Sequence, residues 1–357
     1  MQPRSFFEYL GLSDVERIHS QFFAWLFSPD CLAISQDSKH QLLTALFKTD
    51  SESKILKVLT EFRGIDILIE TSKEVIVIEN KLKSSQHSNQ LHRYKAICEE
   101  QYPITPKRYY FLTLTGEKTN DENWNRMSYH QMYTQLMELS FHHGEDHTVI
   151  VKEYLVFLRR LTSCVQDFLE RPQEYDMVFM DGKKKKVDKV DFPYATPNER
   201  FIAANQLETI LQKCFLHGLS ERINTHVAFI SDTRGDALID FPIKGGIEYQ
   251  GRNYSTILQL QNNTIKFAFA VFGPEYGKSE KVWIEEVIPL MKELSEQNDF
   301  NYTNVNKPTS RAYVSVSKQL KDKYWKMETA ELVKFINTEI ANAEVMTRQL
   351  IGRLDGI

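Results

Sequence analysis

The sequence has few cysteines, and their spacing does not indicate a zinc site or a disulfide framework. The four, Cys31, Cys98, Cys164 and Cys214, are scattered, and no two form a Cys-x-x-Cys motif. Three of them fall within helical patterns. Free cysteine commonly behaves as a small buried hydrophobic residue. We therefore expect core cysteines in a protein from a reducing compartment.

The sequence also lacks a long hydrophobic run. No apolar segment has the length needed to cross a bilayer, and the N-terminal stretch MQPRSFFEYLGL lacks the apolar core of a secretion signal. We expect a cytoplasmic protein that makes no membrane contact.

The sequence also lacks a strong excess of charge of either sign. Lysine and arginine total 44 against 48 aspartate and glutamate, which gives a formal net charge of -4. This balance excludes an overall positive field. Any binding of nucleic acid has to use a local basic patch.

The length of 357 residues exceeds what one hydrophobic core usually supports, so two domains are expected. The stretch MDGKKKKVDKVDF interrupts all periodicity. We predict an N-terminal domain at 1–178, a basic linker at 179–193 and a C-terminal domain at 194–357. The lysine run 183–186 is better interpreted as solvated linker than as a DNA contact.

The N-terminal domain has the pattern of an α/β core. Two helices are predicted in the first fifty residues, and Ser13 is the expected N-cap of the first, SDVERIHSQFFAWLF. Three strands follow (ILKVLTEFR, GIDILIE and EVIVIENKL), then a helix (SNQLHRYKAICEEQY), a strand (RYYFLTLTG) and two amphipathic helices. This order predicts a mixed sheet flanked by helices, with a helical crossover to the last strand.

The C-terminal domain has consecutive strands and two helices, which predicts an α+β domain with an antiparallel meander. It begins at TPNE, a capping box that starts at Thr196 with proline in the first helical position. We find no motif there to which chemistry can be assigned. A recognition or oligomerisation module, with a homo-oligomer or a protein partner, is the preferred interpretation.

The apolar strand EVIVIENKL ends in charged residues. Glu79 and Lys81 share one face of this strand, while Asn80 points to the other. Asp66 interrupts the preceding strand. If the two strands are antiparallel neighbours, Asp66 and Glu79 lie close together.

Two adjacent carboxylates repel each other unless a cation lies between them, and their hard oxygen ligands suit Mg²⁺ or Mn²⁺. Lys81 could stabilise charge on a phosphate or orient a water molecule. Two acids and an ammonium group at one strand end therefore fit metal-assisted phosphodiester hydrolysis.

These residues match a known pattern. Asp66 followed by Glu79-Asn80-Lys81 resembles the PD-(D/E)XK nuclease superfamily, and the helical pair Gln90 and Tyr94 is similar to the QxxxY element of RecB-like members. The resemblance covers residues 13 to 140, roughly. No proline precedes Asp66, as in many members of the superfamily.

The resemblance implies a restriction-endonuclease-like fold and a Mg²⁺- or Mn²⁺-dependent nuclease. Asp66, Glu79 and the backbone carbonyl of Asn80 would bind metal, and Lys81 would be the catalytic lysine. Gln90 and Tyr94 would lie beside the site, near the substrate phosphates. DNA is preferred over RNA only because the similar families mostly cut DNA. A role in prokaryotic defence or repair is expected at the family level alone.

Supporting residues have competing interpretations. Glu16 could add a third acid from an upstream helix, but it could instead complete a capping box with Ser13. His19 is more often a structural histidine than a ligand. Lys83, His87 and Arg93 add positive charge near the proposed site, as phosphate contacts would require.

These three residues, together with His92 and Lys95, could equally form a solvated helix face.

The chemical alternatives are also open. The acids and Lys81 could be an ordinary surface hairpin with an ion pair. The protein could also be an inactive nucleic-acid-binding or scaffold protein on a nuclease-like fold. The presence of both acids and the lysine argues against such decay, because a pair of buried carboxylates that serves no purpose costs stability.

Overall fold

The structure is a computed structural model that describes residues 4–10, 15–82, 90–117, 119, 121–142, 146–179, 196–223, 228–233, 235–271, 287–306 and 313–354. The chain forms two compact units. The first comprises Met1–Glu170 and Pro193–Ile210, and the second comprises Arg171–Phe192 and Leu211–Ile357.

A five-stranded mixed sheet with helices around it forms the first unit. Its strands, in their order across the sheet, are β1 (Ile55–Phe62), β2 (Ile65–Thr71), β3 (Val75–Lys81), β4 (Lys107–Thr113) and β5 (Trp124–Ser128). The helices are α1 (Phe6–Tyr9), α2 (Glu16–Phe27), α3 (Gln36–Phe47), α4 (Gln90–Gln101), α5 (Tyr129–Met137), α6 (Asp146–Glu170) and α7 (Pro197–Ala204). The first three strands are antiparallel, whereas β3, β4 and β5 are parallel. The predicted mixed sheet flanked by helices is confirmed.

The central strand β3 explains why the sheet forms here. Its first six residues, VIVIEN, are all buried, as expected for a β-branched run that helices cover on both faces. On one face, α4 packs Leu91, Tyr94 and Cys98 into a core with Val75 and Val77 of β3. Helix α2 packs against β1, β2 and β3. Because α4 connects β3 to β4, which run parallel, the predicted crossover is confirmed.

Two details of the first unit differ from the prediction. Helix α2 begins at Glu16 with Val15 at the N-cap, so the expected N-cap Ser13 is wrong; Ser13 itself lies outside the described residues. Strand β5 was not predicted. Its sequence, WNRMS, is short and largely polar, and only its pairing with β4 makes it a strand.

The second unit contains a six-stranded antiparallel sheet in the order β10-β11-β9-β8-β7-β6. The strands are β6 (Phe229–Thr233), β7 (Asp236–Tyr249), β8 (Arg252–Gln261), β9 (Thr264–Val271), β10 (Asn304–Asn306) and β11 (Tyr313–Gln319). Helices α9 (Val287–Gln297) and α10 (Thr329–Leu354) pack on this sheet, and α8 (Glu208–Ser220) crosses the boundary between the units. The predicted antiparallel meander is confirmed, although β10 and β11 were not predicted.

The units do not follow the predicted domain bounds. The capping box at Thr196 is present, but α7 belongs to the first unit. There Phe201 is buried under Arg160, whose guanidinium lies 4.6 Å from the ring centre. Conversely, Phe179 stacks on Trp325 of the second unit at 4.6 Å. Most of the predicted linker lies outside the described residues, and the roles assigned to the two domains stay a prediction.

All four cysteines are buried, and none is part of a disulfide. Within the described ranges, no helix combines the length and the apolar character needed to cross a bilayer.

Candidate active site

The acidic residues singled out in the sequence meet at one end of two paired strands. Ile67 of β2 pairs with Ile78 of β3, and the same antiparallel register continued by one residue places Asp66 opposite Glu79. Glu79 and Lys81 point to the α4 side of the sheet, since they alternate with Asn80. The predicted hairpin thus brings both carboxylates and the ammonium group together.

Glu79 is a fully buried carboxyl group. Nζ of Lys81 lies 2.7 Å from its Oε1, and the Lys81 side chain is only 11% exposed. Even so, neither carboxylate oxygen has a hydrogen-bond partner of ordinary geometry in the part of the chain that the structure describes. Burial, followed by the charge of Asp66, raises the pKa of Glu79 to about 8. Glu79 therefore holds a proton more firmly than an ordinary glutamate.

Asp66 is less isolated, because the backbone N–H of Asn80 donates to its Oδ2 at 2.7 Å. Burial raises the pKa of Asp66, and the hydrogen bond from Asn80 opposes that rise. For Lys81, burial lowers the pKa, but the charges of Glu79, Asp66 and Glu16 outweigh it and raise the pKa overall. Lys81 therefore remains an ammonium group.

Glu16, the proposed third acid, lies next to this cluster. Its Oε1 accepts a hydrogen bond of 2.9 Å from the N–H of Leu82, directly after Lys81. The carboxylate thus reaches from the first residue of α2 to the end of β3.

Asn80 makes a buried polar network on the opposite face of the sheet, which the sequence did not predict. Its Nδ2 donates to the backbone carbonyl of Glu16 at 3.2 Å and to Oγ of Ser20 at 3.0 Å. The hydroxyl of Tyr129, the first residue of α5, donates to Oδ1 at 2.9 Å. These contacts fix the strand end, and with it the backbone N–H that holds Asp66.

His19 lies in an aromatic cluster. Its Nδ1 lies 2.7 Å from the hydroxyl of Tyr154, and its ring stacks on Phe157 with 5.7 Å between ring centres. The preferred structural interpretation of His19 agrees with this position.

The QxxxY pair acts on the turn that leads into β2. Gln90 Nε2 donates to the hydroxyl of Tyr94 at 2.7 Å, and that hydroxyl donates to the backbone carbonyl of Gly64. Gly64 has φ +89°, and a Cβ there would lie 3.6 Å from the Tyr94 hydroxyl. Burial raises the pKa of Tyr94, the Gln90 bond opposes this, and the charges of Glu79 and Asp66 add to it. Tyr94 is therefore beside the acids, as predicted, but its hydroxyl is used in holding the turn.

The predicted phosphate contacts are only partly described. Arg93 is exposed, with its guanidinium 5.3 Å from the centre of the Tyr94 ring. Lys95 forms an ion pair with Asp121 at 3.3 Å. Lys83 and His87 lie outside the described residues.

The cluster fits a divalent cation of the kind that takes few protein ligands. No three His, Cys, Asp or Glu residues among those described form a complete metal-binding group. Mg²⁺, however, is usually bound by one or two carboxylates, with water and substrate phosphates completing the shell. The buried carboxyl group of Glu79, which has only the Lys81 ion pair and no hydrogen bond of ordinary geometry among the described residues, lies beside Asp66 and fits such a ligand set.

Comparison with known families supports a nuclease-like protein. Residues 5–159 match the family model of the PD-(D/E)XK nuclease superfamily. No curated protein and no solved structure matches the chain significantly. The match includes α2, the complete sheet and α5, so the resemblance noted in the sequence is confirmed for this region. The first unit thus carries a PD-(D/E)XK nuclease family domain, a family that typically uses divalent metals.

Replacing Tyr129 with phenylalanine tests the network around Asn80. The change removes one hydroxyl and leaves Oδ1 of Asn80 buried without its donor. We expect the free energy of unfolding of the first unit to fall by about 1–3 kcal/mol, seen by calorimetry as a lower transition temperature. Tyr133→Phe, half-buried in the same helix, is the matched control and should leave that temperature unchanged.

Replacing Tyr94 with phenylalanine tests the QxxxY pair. It removes the donor to Gly64 and the acceptor for Gln90 while keeping the buried ring. We expect a loss of about 1–2 kcal/mol in stability and faster amide hydrogen exchange at residues 63–66. Unchanged exchange there would contradict a turn-holding role for Tyr94.

Proposed function

We propose that this protein is a metal-dependent nuclease that hydrolyses phosphodiester bonds, with DNA as the preferred substrate. The observation that carries the proposal is the buried carboxyl group of Glu79, which lacks an ordinary hydrogen-bond partner within the described residues and lies beside Asp66 and Lys81. A buried carboxyl group in this state is costly. It is readily explained if a cation and a phosphate complete the site.

In this proposal Asp66, Glu79 and the backbone carbonyl of Asn80 would hold Mg²⁺ or Mn²⁺. The bound cation would polarise a phosphoryl oxygen and lower the pKa of a bound water molecule. Asn80 positions Asp66 through its backbone N–H. Glu16 holds the backbone at Leu82 and so fixes the direction of the strand that carries Lys81.

Lys81 would stabilise the negative charge that develops on the phosphate during cleavage. Its raised pKa keeps Nζ protonated at neutral pH, and low exposure limits screening of its charge by water. A charged donor aimed at developing charge typically contributes about 10²–10³-fold to the rate. Lys81 is held in place by the Glu79 contact before substrate arrives.

The rival function is an inactive nucleic-acid-binding or scaffold protein on the same fold. The raised pKa of Glu79 argues for the enzyme, because a binding protein gains nothing from a buried acid that is difficult to ionise. Nucleic-acid binding that survives chelation, together with no metal-dependent thermal shift, would favour the rival.

The wider biological setting is proposed on the resemblance alone. On this basis the protein acts in the cytoplasm, in prokaryotic defence or repair. Its C-terminal unit recognises the substrate, a second copy or a protein partner. The preference for DNA over RNA has the same basis.

Substitutions at the cluster test the proposed chemistry. Asp66→Asn, Glu79→Gln and Lys81→Met should each lower the cleavage rate by about 10²-fold or more, while circular dichroism shows the fold retained. Linear, circular and single-stranded DNA and RNA should be assayed with Mg²⁺ or Mn²⁺, and with a chelator as the blank. Glu70→Gln, at the far end of β2, is the control and should cut normally. Undiminished cleavage by Glu79→Gln would place the activity elsewhere.

The pH dependence of metal binding tests the ionisation of Glu79. Since its pKa is raised to about 8, a proton competes with the cation below that pH. The apparent affinity for Mn²⁺ should therefore fall about tenfold for each pH unit below 8 and level off above it. Thermal shift titrations from pH 6 to 9 measure this slope. Glu79→Gln should remove both the slope and most of the metal-induced shift.

A further inference from the structure

Exposed apolar side chains concentrate on one surface of the first unit. Thirteen large apolar side chains are exposed among the described residues, and six of them belong to α1, its C-cap and the first half of α6. These six, with exposed fractions of 43–72%, are Phe6, Tyr9, Leu10, Val149, Ile150 and Val156. A single exposed apolar side chain is ordinary, whereas a contiguous group of them marks an interaction surface.

Two contacts join these side chains into one surface. The N–H of Phe6 donates to Oε2 of Glu153 at 2.8 Å, and Nη1 of Arg160 lies 2.9 Å from Oε2 of Glu8. Glu153 lies one helical turn after Val149, on the same face of α6. Helix α1 therefore runs along one edge of this face, and its exposed apolar residues extend the patch.

The exposed face of α6 combines apolar and charged residues at helical spacing. Val149, Lys152, Val156 and Arg159 recur every three or four residues, and Asp146 flanks them at the start of the helix. All five are exposed. Within the described part of the chain, the three charged members form no ion pair. Their charges are thus available to a partner.

This face is complementary to itself. When two copies of α6 lie antiparallel around a two-fold axis beside residues 152 and 153, Val149 of each copy meets Val156 of the other. The same register places Lys152 opposite Glu153 of the other copy. Because Glu153 holds Phe6 through Oε2, its Oε1 is the oxygen that can meet this lysine.

The outer charges agree with the same register. Asp146 of each copy falls opposite Arg159 of the other, so both ends of the helix pair carry an attractive contact. The remaining cation of this stretch, Arg160, is already paired with Glu8 in its own chain. An axis one turn further along α6 would instead place Lys152 opposite Arg160. The charges therefore favour one register.

We propose that two copies of this chain associate through α6, in an antiparallel pair centred on residues 152 and 153. A two-fold interface uses one patch twice, so the patch has to complement itself, and this condition selects a second copy over an unrelated partner. The valines, with Phe6 and Leu10 at one edge, supply the buried apolar area, and the charge pairs fix the register. The interface lies in the first unit, and its formation does not depend on the proposed nuclease chemistry.

Reversal of the outer charges tests the pairing. Sedimentation velocity of the full chain over a concentration series measures association, and we expect a dimer. Asp146→Arg and Arg159→Asp, made singly, each create two like-charge pairs per dimer and should weaken association by about tenfold or more. The double variant restores opposite charges with their signs exchanged, so its association should return close to the native value.

Matched controls change similar residues elsewhere in the first unit. Glu122→Arg reverses one exposed charge before β5 and should leave association unchanged. Val156→Ser should weaken association by about tenfold, since two such side chains are buried per dimer. Leu56→Ser, at an exposed leucine of β1, should not weaken it. Circular dichroism and thermal unfolding check that every variant folds.

The results decide the inference whether or not the protein cleaves nucleic acid. A native chain that stays monomeric throughout the series would overturn it, as would a dimer that both single reversals leave intact. A folded double variant that does not regain association would also contradict it, because the inferred pairs would then be absent. Weakened single variants together with a restored double variant support the α6 interface.

Discussion

The burial of a single carboxyl group, that of Glu79, is the constraint on which the candidate site depends. Strand β3 carries this group to the end of a run that is covered on both sides. Lys81 is close enough to offset part of the charge, yet Asp66 opposes it, and the pKa rises to about 8. Such an arrangement stores an unfavourable interaction that bound ligands can relieve. The remainder of the fold has to keep the strand end in place against it.

The strand end is supported by hydrogen bonds on the opposite face of β3, through Asn80. Because side chains alternate along a strand, Asn80 is directed away from the acids, toward α2 and α5. There its amide is fully used, by the carbonyl of Glu16, the hydroxyl of Ser20 and the hydroxyl of Tyr129. A buried polar network with every partner present specifies one geometry, whereas a partly satisfied one would loosen it. The unfavourable burial of a carboxyl group on one face is thus accompanied by a complete hydrogen-bond network on the other.

The parts that the sequence predicted are those set by local rules. A β-branched run predicts β3, and strand alternation with a short hairpin predicts that Asp66 meets Glu79. The network around Asn80 could not be predicted, because Tyr129 is 49 positions away and its approach depends on strand β5. That strand has no periodicity of its own and exists through pairing with β4. Likewise, the capping box at Thr196 predicted where α7 starts. The unit to which that helix belongs could not be predicted, because it depends on the packing of Phe201 against Arg160.

The distribution of positive charge near the site cannot be judged from the overall composition. Two cations near the cluster are already paired with acids: Lys95 with Asp121 at 3.3 Å and Arg63 with Glu100 at 2.8 Å. Paired charges attract a distant polyanion weakly, because the fields of the two opposite charges largely cancel. Salt then screens what remains beyond a Debye length of about 8–10 Å. Attraction of a polyanion then has to come from surfaces where cations gather without acids. Residues that attract the substrate are therefore expected to lie outside these ion pairs, which explains why a motif around Glu79 says little about how the substrate is held.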